Sequence, residues 1–175
     1  MMVFNNGNKD IRKKLGEIVS PENEENWCNP ELFEKNIRFK LPRELEILSL
    51  PPEEKLNYNC FVYVLGLQNN PLFQGSIGWD FTRSLGNVFD ELIDNKLLKK
   101  TEIPKKNDLI IYRTDSEEIS HVGLVESQRK IVSKWSWGPI IRHSIFDVPD
   151  HYGNKVEFYG MSDLVVKSVL ERNRK

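Results

Sequence analysis

Residues 107–135 read NDLIIYRTDSEEISHVGLVESQRKIVSKW. Three short runs, Leu109 to Tyr112, His121 to Val125 and Lys130 to Trp135, are β-branched or aromatic and separated by polar turns, which predicts three strands. Neighbours this close in sequence leave no room for a crossover, so they are expected to pair antiparallel. Ile140 to Phe146 and Val156 to Tyr159 continue the pattern towards the C-terminus. Upstream the spacing becomes helical. Asp10 to Val19 places Ile11, Leu15, Ile18 and Val19 on one stripe, and Pro30 follows a capping Asn29. Asn59 precedes the apolar run from Cys60 to Leu65, which Gly66 closes, so a short buried helix is expected to begin near Cys60. Ser84 to Leu98 and Ser162 to Arg172 predict two more helices. Helices first and an antiparallel meander second is the grammar of an α+β domain, with helices packed on a central antiparallel sheet.

The 175 residues fit a single domain, and 39% hydrophobic residues suffice for a real core. The expected subdivision is an N-terminal helical extension (1–56), a core (57–160) and a C-terminal helix (161–175). Twenty-five Lys and Arg against 26 Asp and Glu leave a net charge of −1, which gives no electrostatic reason to expect nucleic acid or an anionic membrane as partner. Lys99, Lys100, Lys105 and Lys106 are interrupted by Glu102 and Pro104 and read as a solvated loop. The opening stretch MMVFNNGNKDIRKK carries no apolar run of signal-peptide length, and no membrane span of ~18 apolar residues occurs, so the expected compartment is the cytoplasm.

Reactive side chains are scarce: two cysteines, Cys28 and Cys60, and three histidines, His121, His143 and His151. Two cysteines make no disulfide framework, and the short-spaced Cys/His pairs of a zinc site are missing, so no metal or other cofactor is expected. Gly75-Ser76-Ile77-Gly78 lacks the lysine and the preceding strand of a phosphate-binding loop. Cys60 at a helix start would have backbone N–H groups near its sulfur, which suits a nucleophile; the plainer alternative is a small apolar residue in an apolar helix. His121, opening a strand behind the acidic loop Asp115-Ser116-Glu117-Glu118, suits a general base; the plainer alternative is a core-edge imidazole bonded to backbone. Cys28, in Trp27-Cys28-Asn29-Pro30, has no histidine beside it and reads as structural. His151 reads as a surface residue of an ordered loop, Val148 to Gly153.

A cysteine at the start of a buried helix, then Asn107-Asp108 leading an aliphatic strand, then His121-Val122-Gly123-Leu124-Val125 opening the next, resembles the papain-like hydrolases of the NlpC and CHAP type. The resemblance covers about Asn57 to Tyr159. It implies a papain-like core, a cysteine peptidase or amidase activity on a peptide or other amide-containing substrate, Cys60 as nucleophile and His121 as its base. It also implies an orienting residue on the strand after the histidine strand, where Ser133 stands; His143, Glu126 and Asn59 are the alternatives. Asn107 replaces the family's usual Gly, and Tyr58-Asn59 stands where relatives carry Asp or another small polar residue. Tyr58 and Asn59 would then flank the substrate. Trp135 and Trp79 would wall a groove, although Trp135 and Trp137, two apart on a strand, equally suit core packing. The same nucleophile and base would serve an acyltransferase or a deamidase, and the same fold a non-catalytic peptide-binding domain.

Overall fold

Leu109, Ile110, Ile111 and Tyr112 are all fully buried, so this strand is covered on both faces. The computed structural model describes residues 2–3, 9–53, 58–73 and 86–172, and everything below concerns those residues. The helices are α1 (Lys9–Ile18), α2 (Glu24–Cys28), α3 (Pro30–Asn36), α4 (Cys60–Val64), α5 (86–94) and α6 (Asp163–Arg172). The strands are β1 (Met2–Val3), β2 (Glu46–Ser49), β3 (Leu98–Lys100), β4 (Leu109–Arg113), β5 (Ile119–Ser127), β6 (Lys130–Lys134), β7 (Ile140–His143) and β8 (Lys155–Met161). They form one sheet in the order β1-β8-β4-β5-β6-β7-β2, with β3 also on β8. Every pairing is antiparallel. The meander β4-β5-β6-β7 is the part the polar turns anticipate. No described helix is long and apolar enough to cross a membrane.

Period-two alternation divides the sheet's side chains between two cores. On one face Leu109, Ile111, Val122 and Tyr159 meet α4, α5 and α6 through Val62, Val64, Phe89, Leu92, Val165 and Val169. On the other face Ile110, Tyr112, Val125, Ile131 and Val156 meet Leu15 and Ile18 of α1, Trp27 of α2 and Phe33 of α3. The N-terminal third, expected as an extension, therefore supplies one of the two covering layers.

Local chemistry explains several boundaries. The Asn29 side chain accepts hydrogen bonds from the amides of Glu31 (2.9 Å) and Leu32 (3.1 Å) at the head of α3, as a capping asparagine does. Asn59 does the same for α4, accepting from the amide of Val62 at 3.2 Å. That helix ends two residues before Gly66, which takes φ +68°, the left-handed geometry of a helix stop. Asn107 takes φ +72° in the turn leading into β4, a conformation asparagine tolerates.

Elsewhere long-range pairing overrides the local pattern. The helix expected over Ser84–Leu98 is described from 86 to 94, and Leu98 instead starts β3, where it pairs with Met161. Lys99 and Lys100, expected in a solvated loop, belong to that strand, and Lys100 bonds the Glu157 carboxylate at 2.5 Å. The strand expected to run to Phe146 ends at His143.

Candidate active site

Helix α4 packs against β5 and β6 and sets Cys60 in the core on that side of the sheet. The last register partners between the two strands are Leu124 and Val132, and Gly123 still lies beside Ser133. The backbone N–H groups of Val122, of Phe61 and of Cys60 itself are directed at the Cys60 sulfur. Cys60 is only 5% exposed. Burial pushes its thiol up to about 11, against the lowering effect of those amides and of Lys134.

His121 precedes Val122 and, by alternation, turns its ring to the other face of β5. Tyr112, its register partner on β4, lies with its ring 5.4 Å away. Tyr152 stacks on it at 4.0 Å, 12° from parallel. His121 is completely buried, and among the described residues neither ring nitrogen has a hydrogen-bond partner, the Cys60 sulfur included. Burial holds this imidazole neutral, its pKa far below the usual value, and the neighbouring His143 and His151 act in the same direction. At rest the thiol, in the core on the α4 side of the sheet, and the imidazole, packed on Tyr112 and Tyr152 on the other side, are both neutral and share no hydrogen bond. Tyr152 stacks on His121, and its phenol, pushed well up by burial first and by Cys60 next, has no hydrogen-bond partner among the described residues.

Ser133 shares a buried cluster with another histidine. Its hydroxyl lies 2.8 Å from Nε2 of His143 and accepts from Nε1 of Trp135 at 3.0 Å. Nδ1 of His143 is 2.8 Å from the carbonyl of Ser144, a pure acceptor, so that nitrogen carries the proton and Nε2 accepts from Ser133. Ser133 is thus committed to His143 and makes no bond to His121. Glu126, another alternative for the orienting role, pairs with Arg142 at 2.7 Å, and Asn59 is occupied in capping α4.

Trp135, expected at a substrate groove, is completely buried. Its ring is 6.1 Å from that of Trp27, and its carbonyl accepts from Nε1 of Trp27 at 2.9 Å. Packing is its role here, because the layer formed by α1–α3 covers it. Trp79 lies outside the described residues. Tyr58 is half-buried beside Cys60, under the ammonium of Lys134, 4.7 Å from its ring centroid. His151 is on the surface, next to Asp150.

Two neighbours of Cys60 escape the sequence reading. Lys134 ends β6, is completely buried, and donates a hydrogen bond to the carbonyl of Gly138. A strand lysine ordinarily faces water, and only its position between Ser133 and Trp135 hints otherwise. Tyr152 sits in a 3-10 turn, Asp150–Tyr152, inside a segment readable only as an ordered loop. That turn is held by Arg12 of α1, whose buried guanidinium donates to the carbonyls of Val148 (3.2 Å), Pro149 (3.3 Å), Asp150 (3.4 Å) and Gly153 (2.5 Å). No group of three His, Cys, Asp or Glu side chains able to hold a metal ion occurs among the described residues.

Residues 50–160, more than half the chain, match a family model described as a domain of unknown function, DUF7689. The chain belongs to the DUF7689 family. The matched stretch contains Cys60, His121, Ser133, Lys134 and Tyr152, whereas Arg12 and Trp27, which support the DUF7689 stretch from below, lie outside it. No curated protein and no solved structure matches the chain.

Proposed function

We propose that this DUF7689 protein is a cysteine hydrolase of papain-like type that cleaves an amide bond, with Cys60 as nucleophile and His121 as base. The observation that carries the reading is His121. A buried imidazole with both nitrogens unbonded is costly, and unsatisfied buried groups of this kind concentrate where a ligand or a proton is to be taken up. It stands one residue from the amide that meets the Cys60 sulfur. In the reaction His121 takes the thiol proton and the sulfur attacks the carbonyl carbon. Backbone N–H groups around Cys60 hold the developing oxyanion. The amine leaves with the proton from His121, and water then releases the acyl group. The reading requires the Cys60 thiol and the His121 imidazole, which share no hydrogen bond at rest, to come within reach of each other when substrate binds. Interception of the acyl-enzyme by an amine would make the same site a transferase, and attack on a glutamine side chain would make it a deamidase.

One observation favours a different reading. Cys60 is nearly inaccessible and its thiol is held protonated, as expected of a non-catalytic peptide-binding domain on this scaffold. Intact-mass measurement after incubation with an activated acyl ester separates the two. A hydrolase gains one acyl group, on Cys60, which Cys60→Ala fails to gain; a binding domain gains none.

A further inference from the structure

We infer that Lys134 is the counter-charge of Cys60, a positioning residue whose ammonium makes the thiolate tenable in the buried site; this deepens the hydrolase reading and rests on it for its catalytic meaning. Lys134 is completely buried at the end of β6, the strand on which α4 packs. Its Nζ has three N–H donors, and the one hydrogen-bond acceptor among the described residues is the Gly138 carbonyl. Tyr58, two residues before Cys60, offers only its ring face, at 4.7 Å. Among the described residues no carboxylate is bonded to it. A buried ammonium so sparsely satisfied is expensive alone, and so is a buried thiolate.

Each is the remedy for the other. Burial lowers Lys134 to about 7, and the two groups that oppose this are the thiols of Cys28 and Cys60. Lys134 in turn opposes the upward push on both thiols. The other titratable groups around the pair are His121 on β5, Tyr152 on the 3-10 turn, and Tyr58, and all three are uncharged at neutral pH. Among the described residues Lys134 is therefore the one cation whose charge acts on the Cys60 thiol. The serine expected to complete the site is occupied with His143, and the charge comes instead from its neighbour in the chain.

The test is the pH profile of Cys60 alkylation by iodoacetamide, in a Cys28→Ser background so that a single thiol reports. Lys134→Met is expected to slow Cys60 labelling about tenfold at pH 6 to 7, where Lys134 still carries its proton, and to approach the parent rate as the pH rises well above 7. Lys134→Arg, which keeps the charge, is expected to restore most of the rate. A structural role for Lys134 would lower the urea midpoint and leave the labelling rate at pH 6 to 7 where it was; that result, in folded protein, overturns the inference. If Lys134→Met does not fold, the difference in urea midpoint between Cys60→Asp and Cys60→Asn decides. With a counter-charge present the difference stays level from pH 5 to pH 7, because the Asp carboxylate is ionised in the folded and the unfolded chain alike; without one, burial raises its pKa, the Asp variant loses on the Asn variant over that range, and the inference falls. Failure of the hydrolase reading looks different: the alkylation rate depends on Lys134, yet no acyl adduct forms on Cys60.

Discussion

The ring of Tyr152 lies 4.0 Å from that of His121 and 12° from parallel, which fixes the imidazole plane although neither ring nitrogen is bonded. A stack can do what an orienting carboxylate does elsewhere, since it restricts the ring while leaving both nitrogens open. Tyr152→Ala removes this support together with a nearly fully buried aromatic side chain and is expected to cost about 3 kcal/mol or more. Tyr152→Phe retains the stack and removes only a buried hydroxyl that has no hydrogen-bond partner among the described residues, so it is expected to be neutral or mildly stabilising. Urea unfolding measures both. If the stack orients a base, Tyr152→Phe keeps Cys60 reactivity.

Arg12 holds that turn from the far side of the chain. Arg12→Met leaves the carbonyls of Val148, Pro149 and Gly153 without their buried donor, at an expected cost of about 3 kcal/mol. Amide hydrogen exchange is expected to quicken over residues 148–153 before the sheet responds. Unchanged exchange there would show that the turn is held by something else.

Gly138 is packed beneath an indole. A Cβ at that position would lie 2.0 Å from Nε1 of Trp27, the atom that donates to the Trp135 carbonyl. Gly138→Ala must therefore displace Trp27 and is expected to destabilise by about 1–3 kcal/mol, with a change in tryptophan emission. Because the Gly138 carbonyl also accepts from Lys134, the same variant is expected to alter Cys60 alkylation.

Acid acts on the two buried histidines. His143 is lowered to about 4 and His121 well below its usual value, each by burial first. Their folded values lie below the unfolded value of about 6.5, so the unfolded chain takes up protons first as pH falls. Stability is full above about pH 6.5 and declines below it, until the folded His143 also accepts a proton near pH 4. Each histidine contributes a slope of about 1.4 kcal/mol per pH unit within that window. Urea midpoints at pH 7, 6 and 5 are expected to fall with increasing steepness, and less steeply in His143→Asn. A flat profile would mean that the imidazoles are hydrated in the folded protein.

Where the chemistry is local, the sequence is explicit. Asn29 before Pro30, Asn59 before Cys60, Gly66 after Leu65 and Asn107 before β4 each do in three dimensions what their residue types favour. The meander from β4 to β7 is readable because its strands are short, β-branched and joined by turns. By contrast β2 is mostly exposed and shows no apolar alternation; Ile47 becomes a strand residue through its partner Ile141 on β7. Strand β3 consists of Leu98 and two lysines, and exists through β8. For the site the same division holds. Cys60 is legible as the first residue of α4, whereas His121, expected to open its strand, stands two residues inside β5, which begins at Ile119 because β4 pairs with it that far. Lys134 is not legible, because burial of a lysine depends on what α4 and Tyr58 lay over it. Tyr152 is not, because its position depends on Arg12, about 140 residues earlier in the chain. Ser133 is placed on the expected strand and is buried, but His143 on β7 claims it through register pairing of β6 with β7.

The most direct test of a catalytic Cys60 is iodoacetamide labelling of the folded protein at pH 7, read residue by residue by mass spectrometry. A nucleophile paired with His121 is labelled quickly and selectively over Cys28, whose thiol burial pushes higher, to about 12, and the labelling is lost in His121→Ala. A Cys60 that stays unlabelled until the protein unfolds, or one labelled equally fast in His121→Ala, contradicts the hydrolase assignment.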